Sequence, residues 1–438
     1  MPRETARSRR RRRAAALGLA LAAGLVLAAG GLRAQALGEP LFVTGFISQG
    51  YLNTSENDYL VPRSVNGTAE FTEAALTLVA RPMDRLRVGM QLLARNFGDT
   101  GNGQVVVDWA YGDYAWRDQL GFRAGKVKLP FGFYNEGRDV DMLRTSVFLP
   151  QAIYNEKMRD FILAYEGIGA YGNVTVAGLG ELDYHVYGGT LNVPDPTRGF
   201  WNEAYTEAAR DIEDGVAALV ADETGAQVEA EFRALDNETV SFPWIYGGAL
   251  IWSTPVEGLR AGVSALAGRF NFQGDLSYDT RLDFGGTPPQ VEYRPFGLHL
   301  DETVQIDHIA VLSAEWARDR WSLASEYYHD DFEGVKAIGW YVQGGWQASD
   351  RLALGLTYGD LQQDQFGGAD AGLPDYYGWQ RDWTVSLRFD INDHWLFKLE
   401  RHFIDGVALA QPRSVAEDLA DPLQQSWGLF AAKTTFHF

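Results

Sequence analysis

The sequence predicts an all-β protein, a transmembrane antiparallel up-and-down β-barrel of about 16 strands with long outward loops and short periplasmic turns. Three observations predict it: side chains alternate with a period of two, long and short connections follow one another in turn, and tryptophans cluster beside the short connections. The 438 residues include 48 glycines and only 16 prolines, and 13% are aromatic. This composition suits strands joined by turns.

Residues 1–36 are predicted to be a secretory signal peptide. Seven arginines precede an apolar run over 14–32, and Ala34-Gln35-Ala36 matches an A-x-A cleavage pattern. A permanent membrane anchor is the alternative, but alanine and glycine dominate the run and the cleavage pattern follows it directly. Loss of eight arginines and one glutamate takes the formal charge from −20 to −27, so residues 37–438 would form an exported, acidic barrel.

Composition also excludes several classes of function. The chain has no cysteine, which excludes a disulfide scaffold, a cysteine-ligated metal and a cysteine nucleophile. The acidic balance argues against binding nucleic acid. Because the seven histidines are scattered and no H-E-x-x-H or G-x-S-x-G motif occurs, we predict no enzyme activity, no metal site and no cofactor.

Period-two alternation predicts the strands. In one segment Leu86, Val88, Met90 and Leu92 alternate with polar or small residues, and fifteen further segments have a similar pattern or β-rich composition. The sixteen predicted strands are 41–49, 69–80, 86–92, 105–115, 120–127, 161–174, 181–190, 244–253, 259–269, 306–316, 321–328, 338–346, 352–358, 383–389, 395–403 and 425–438.

The connections alternate in length, as expected for outward loops and periplasmic turns. The long ones are predicted at 50–68, 95–104, 128–160, 191–243, 270–302, 329–336, 359–376 and 404–423. The seven short ones lie near 81–85, 116–119, 177–180, 254–258, 317–320, 347–351 and 391–394. Within 191–243, residues 201–220 carry a helical apolar stripe, which predicts a short helix over the barrel mouth.

Six tryptophans lie within or beside the short turns, where an interfacial girdle would place them. They are Trp116, Trp252, Trp316, Trp321, Trp346 and Trp395. The last strand ends in Phe438 with apolar residues at alternate positions, which resembles the C-terminal signal that outer-membrane barrels present to their assembly machinery.

A wide barrel predicts a pore. In hydrocarbon every backbone polar group needs an internal partner, which a closed sheet provides, and about 16–18 strands leave an aqueous channel. Alternation points four arginines into this lumen, because a charge on the lipid face would cost about 2–4 kcal/mol. The predicted lumenal arginines are Arg87, Arg95, Arg123 and Arg388.

The connection 128–160 is the predicted constriction loop. Opposed cationic and anionic side chains at a constriction select solutes by charge. The predicted cationic members are Lys126, Lys128, Arg138, Arg144, Lys157 and Arg159, and the anionic ones are Glu136, Asp139 and Asp141. The alternative is that these charges decorate an exposed outer loop.

Part of this region also resembles a known family. The resemblance covers roughly 105–175 and is to outer-membrane porins related to the phosphate-selective porin O and P group. It is carried by Val107-Asp108-Trp109-Ala110-Tyr111, Arg123-Ala124-Gly125-Lys126-Val127-Lys128-Leu129-Pro130-Phe131-Gly132, Asn135-Glu136, Arg138-Asp139-Val140 and Phe148-Leu149-Pro150-Gln151. The resemblance implies a homotrimer of 16-stranded barrels, with a loop folded into each pore.

The sequence therefore predicts a bacterial outer-membrane porin that lets small hydrophilic solutes and ions diffuse passively. Its basic lumenal residues suggest an anion preference, although the whole chain is acidic. The alternatives are a substrate-specific channel for phosphate or organic acids, and a structural or adhesive barrel closed by its loops. The expected partners are outer-membrane lipid and lipopolysaccharide, the barrel-assembly machinery, other copies of the chain and small solutes.

Overall fold

The computed structural model describes residues 41–98, 100–191, 200–364, 372–411 and 413–438. The predicted signal peptide, residues 1–36, lies outside the described residues. Sixteen strands form the structure, and each of the sixteen predicted strands overlaps one of them. They are β1 Phe42–Thr54, β2 Phe71–Met83, β3 Leu86–Phe97, β4 Thr100–Arg117, β5 Leu120–Lys128, β6 Ala164–Val176, β7 Gly180–Leu191, β8 Gln227–Ser253, β9 Leu259–Asp283, β10 Val291–Arg318, β11 Trp321–Phe332, β12 Val335–Ser349, β13 Leu352–Gln363, β14 Trp379–Asn392, β15 Trp395–Gly406 and β16 Ser426–His437.

The strands close into one antiparallel barrel. Each strand pairs with its neighbours in the sequence, and β1 pairs with β16 from Phe46↔His437 to Thr54↔Leu429. Closure leaves the barrel wall itself without a free sheet edge, so the strands of the wall are hydrogen-bonded on both sides. The predicted fold class is confirmed.

Side-chain alternation separates the two faces of the wall. In β3, Leu93, Arg95 and Phe97 are buried, whereas the intervening side chains belong to the outward-facing set. Val88 on that outward set is exposed. The pattern follows from the two-residue repeat of a strand, which sends neighbouring side chains to opposite faces.

The short turns lie at one end of the barrel, with tryptophans beside them. Trp116, Trp252, Trp321 and Trp346 are exposed, and Trp321 and Trp346 stack with their ring centroids 5.7 Å apart. The other two predicted girdle residues, Trp316 and Trp395, are half-buried. The terminal Phe438 is held by backbone hydrogen bonds to Gly45, at 3.1 and 3.2 Å.

Three predicted long connections are shorter than the sequence suggested. The predictions 95–104, 270–302 and 329–336 were wrong in length, because the flanking strands continue nearly to the turn. The pairs Phe97↔Thr100, Asp283↔Val291 and Phe332↔Val335 close these hairpins. Hydrogen bonds between neighbouring strands form whether or not lipid surrounds them. The strands therefore continue beyond the residues in which apolar and polar side chains alternate.

The predicted loop 191–243 also ends early, because β8 begins at Gln227. The parts of β8, β9 and β10 farthest from the short turns form a three-stranded extension, covered on its inward face by helices α1 Phe200–Asp211 and α2 Glu213–Thr224. The predicted helix 201–220 is thus two helices. The helices pack on the extension because each has an apolar face. Ala209 and Val216 on these faces bury the side chains of Leu276 and Tyr278. No helix among the described residues is long and apolar enough to cross a membrane.

Candidate functional site

Residues 129–163, between β5 and β6, form a segment that runs inside the ring of strands; we call it the inserted segment. Its base is closed by Asn135, whose side-chain amide donates to the carbonyls of Leu129 at 3.0 Å and Ile162 at 2.7 Å. Gly132 has φ 56°, and a Cβ there would lie 2.1 Å from the Tyr154 hydroxyl. The turn therefore requires glycine.

Glu326 of β11 holds the first part of the inserted segment. Its buried carboxylate accepts hydrogen bonds from the backbone N–H of Phe133 at 2.7 Å and from the Tyr154 hydroxyl at 2.6 Å. Tyr341 of β12 and Ser313 of β10 donate to the same carboxylate. A buried carboxylate with four donors fixes the segment to this wall.

Asp141 holds the middle of the segment to the last two strands. Its carboxylate lies 2.9 Å from Lys433 Nζ and 3.6 Å from Lys398 Nζ, and it accepts a hydrogen bond from Thr435 at 2.7 Å. Arg144 approaches it at 3.0 Å. Burial opposes ionisation, but these cations hold the pKa of Asp141 well below its ordinary value.

Glu400 of β15 holds the next residues. It accepts the backbone N–H of Val147 at 2.6 Å and lies 2.7 Å from Nε2 of His402. His402 Nδ1 lies 2.6 Å from Asp382 of β14. The adjacent Lys398 donates to the Ser146 carbonyl at 2.8 Å. This part of the segment therefore crosses the lumen and ends against a row of charged side chains on β14 and β15.

Two arginines hold the last part of the segment, which leads back to β6. Arg159 lies 2.9 Å from Asp108 of β4 and 2.7 Å from Asp139, which also pairs with Lys128 at 2.9 Å. Burial is outweighed by these two cations, so the pKa of Asp139 is well below its ordinary value. The other arginine, Arg95 of β3, pairs with Glu156 and Glu73 (the Glu73 contact is 3.3 Å).

Acid is expected to loosen this last attachment. Burial raises the pKa of Glu156, but Arg95 and Arg138 outweigh it and bring the pKa from 4.5 to about 2. The ionised form is favoured in the docked segment, so its contribution of about 3 kcal/mol is complete above pH 4.5 and is lost as the pH falls towards 2. Pepsin cleavage of the segment, normalised to an unstructured peptide, should therefore rise over this range.

The Glu156→Gln variant provides the control for the acid experiment. It removes the titrating group, so its cleavage should be faster at pH 4.5 and nearly independent of pH down to 2. Equal pH dependence in the two proteins would contradict the role given to Glu156.

Most of the predicted constriction residues meet in these networks. Lys128, Arg138, Arg144, Arg159, Asp139 and Asp141 form ion pairs and are largely buried. Lys157 donates to Gln411 at 2.6 Å, and Glu136 remains half exposed. Lys126 is the exception: Arg123 and Val127 face inward, so alternation turns Lys126 outward, where it donates to the Val107 carbonyl. Its placement in the constriction was wrong.

The four predicted lumenal arginines all contact inward-facing groups. Arg95 meets Glu156, Arg123 lies 3.9 Å from Glu136, and Arg388 donates to the Met142 carbonyl. Arg87 pairs instead with Asp113 of β4, at 2.8 Å.

Sequence reasoning missed other charged residues of the wall, which contact the segment directly or pair with side chains of the wall. They are Glu73, Asp108, Asp113, Arg260, Glu315, Glu326, Asp382, Lys398, Glu400, His402 and Lys433. Alternation could have identified those in β15, where Lys398, Glu400 and His402 alternate with Phe397 and Leu399 and therefore share the inward face. The predicted lumenal set, in contrast, contains arginines alone.

In fold, the chain is similar to solved porin structures. OmpF of Salmonella typhi in complex with daunomycin is 11% identical, with 92% of this chain and 98% of that chain covered and a TM-score of 0.53. An anion-selective porin from Comamonas acidovorans is 10% identical, with 91% and 100% covered and a TM-score of 0.52. No protein-family model and no curated protein matches the sequence. The similarity concerns the fold, and membership of the porin O and P group stays a prediction.

Proposed function

We propose that the protein is an outer-membrane channel for passive diffusion of small hydrophilic solutes, that the inserted segment forms its constriction, and that it prefers anions. A closed barrel of 16 strands is wide enough for an aqueous lumen. The segment narrows this lumen and is held by buried charges on β3, β11, β15 and β16, so the constriction has a fixed geometry.

The exposure of two lumenal ion pairs carries the anion preference. The side chain of Arg87 is 40% exposed and that of its partner Asp113 only 9%. Arg260 is 37% exposed and its partner Glu315 20%. At these two pairs a passing solute therefore meets guanidinium groups before it meets carboxylates, and exposed arginines in a pore favour anions.

The reversal potential in a KCl gradient across a planar bilayer tests the proposal. We expect wild type to be more permeable to chloride than to potassium, and the double variant Arg87→Gln, Arg260→Gln to lose most of this preference. Removing both exposed cations leaves Glu315 without its partner and Asp113 with Arg123 alone, so the permeability ratio should move towards cations. The matched control is Arg318→Gln, at an exposed short turn.

Two results would contradict parts of the proposal. An unchanged permeability ratio in the double variant would contradict the role in anion preference that we propose for Arg87 and Arg260. A wild-type barrel that gives no current would favour the second candidate function, a structural barrel closed by its own segment. The contacts of the segment with walls on several sides of the barrel favour that candidate.

The homotrimer is also a proposal, and it rests on the family resemblance. One observation supports a protein contact at β5 and β6: Lys126 faces outward, and Glu166 lies opposite it in the register of the two strands. Charged groups on the outward face of a barrel are costly in lipid. A neighbouring subunit or the headgroup layer would cover them better.

A further inference from the structure

One stretch of the lumenal wall combines arginines with aromatic rings on four consecutive strands. We call it the β3–β6 patch. Asp113 of β4 stands between two arginines, since it lies opposite Arg87 of β3 and opposite Arg123 of β5 in the strand register. The complete patch is Arg87, Trp109, Tyr111, Asp113, Arg123 and Tyr171.

Two rings of the patch lie over glycines of the neighbouring strands. A Cβ on Gly89 would come within 3.0 Å of the Trp109 ring, and a Cβ on Gly121 within 2.4 Å of the Tyr171 ring. Absence of these side chains lets both rings approach the wall closely. Trp109 and Tyr171 are each half-buried, so part of each ring stays open to the lumen.

The guanidinium groups are held among these rings. Arg123 lies over the Tyr171 ring, 4.3 Å from its centroid, and 5.8 Å from that of Tyr111. Arg87 Nη2 lies 2.8 Å from Asp113 and 3.4 Å from the Tyr111 hydroxyl. Both arginines share this one carboxylate, which also accepts the Tyr171 hydroxyl.

A second carboxylate completes the charge balance. Glu136 of the inserted segment approaches Arg123 to 3.9 Å, and its side chain is 52% exposed. At this distance and exposure the pair is weak, so an incoming anion can replace Glu136. Asp113 is buried and fully engaged, and it stays in place.

We propose that the β3–β6 patch binds anions with a flat aromatic body, such as aromatic monocarboxylates, as they pass the constriction. A carboxylate can bridge to an exposed guanidinium, and its ring can stack on an aromatic face beside it. Aromatic contact distinguishes this class from chloride or phosphate, which use the guanidinium alone. The inference rests on the proposed channel function and narrows its substrate class.

Block of KCl current in single-channel recordings tests the patch. The probes are benzoate and cyclohexanecarboxylate, which match in charge and nearly in size but differ in their π face. We expect half-blocking concentrations for benzoate roughly three- to tenfold lower, the range that an added stacking contact provides. In Trp109→Leu the two probes should become equal, and in Arg87→Gln both should block less.

The control is a variant outside the patch, and two contrary results separate the patch from the channel function. Phe389→Leu, an exposed outward aromatic of β14, should keep the wild-type difference between the probes. Equal block by both probes in a conducting wild-type channel overturns the patch and leaves the channel function intact. Absence of KCl current overturns the channel function and, with it, this inference.

Discussion

Replacement of Asp141 by alanine is expected to release the middle of the inserted segment from β15 and β16. Asp141 and Lys398 are almost completely buried and Lys433 nearly so. Removing one partner of a buried charge cluster costs about 3–5 kcal/mol, because the remaining charges lose their compensation. That free energy would shift the docking equilibrium by roughly two to three and a half orders of magnitude.

Single-channel recording and proteolysis would both report the release. We expect a larger and noisier conductance in Asp141→Ala, and cleavage of the segment by trypsin at Arg138 or Arg144 that wild type resists. Asp118→Asn, an exposed carboxylate in the short turn after β4, should match wild type in both measurements.

A second substitution separates charge imbalance from simple loss of a contact. Adding Lys398→Met to Asp141→Ala removes one uncompensated cation and should recover part of the resistance to trypsin. If Asp141→Ala keeps the wild-type conductance and resists trypsin, the cluster does not hold the segment.

Replacement of Glu326 by alanine is expected to free the first part of the segment. Four donors lose their acceptor: the Phe133 N–H and the hydroxyls of Tyr154, Tyr341 and Ser313. Each buried donor left without a partner costs about 1–3 kcal/mol, although lumenal water would satisfy some of them after the segment moves.

The matched control for this substitution is Glu326→Gln. It keeps one acceptor oxygen and almost the same shape, so its effect should be clearly smaller than that of alanine. The readouts are hydrogen exchange of the Phe133 amide and the heat stability of the folded barrel in detergent. Protection of that amide equal to wild type in Glu326→Ala would contradict the assigned role.

The sequence predicted the wall of this molecule well because the wall has a two-residue repeat. Arg95, Arg123 and Arg388 face inward as alternation requires. The same rule would have turned Lys126 outward, but its closeness to Lys128 in sequence suggested a shared site. Lys128 reaches Asp139 only because the chain leaves the sheet just after it.

The pairing inside the lumen was beyond a single sequence. Both signs of charge are evident in 128–160, but the partners of Asp141 and Glu156 come from strands far away in the chain. The predicted lengths of the outward connections were wrong for a different reason. Strands such as β8, with 27 residues, are far longer than a membrane-spanning strand needs to be, and no change of pattern marks where such a span would end.

The position of those partners in the chain has a consequence for biogenesis. Thr435 and Lys433 stand in the final strand, and Thr435 follows Asp141 by 294 residues. The binding site of Asp141 is therefore complete only when β16 has joined the barrel. We therefore expect the middle of the segment to dock late in assembly, and we expect its protection from protease to report a completed barrel.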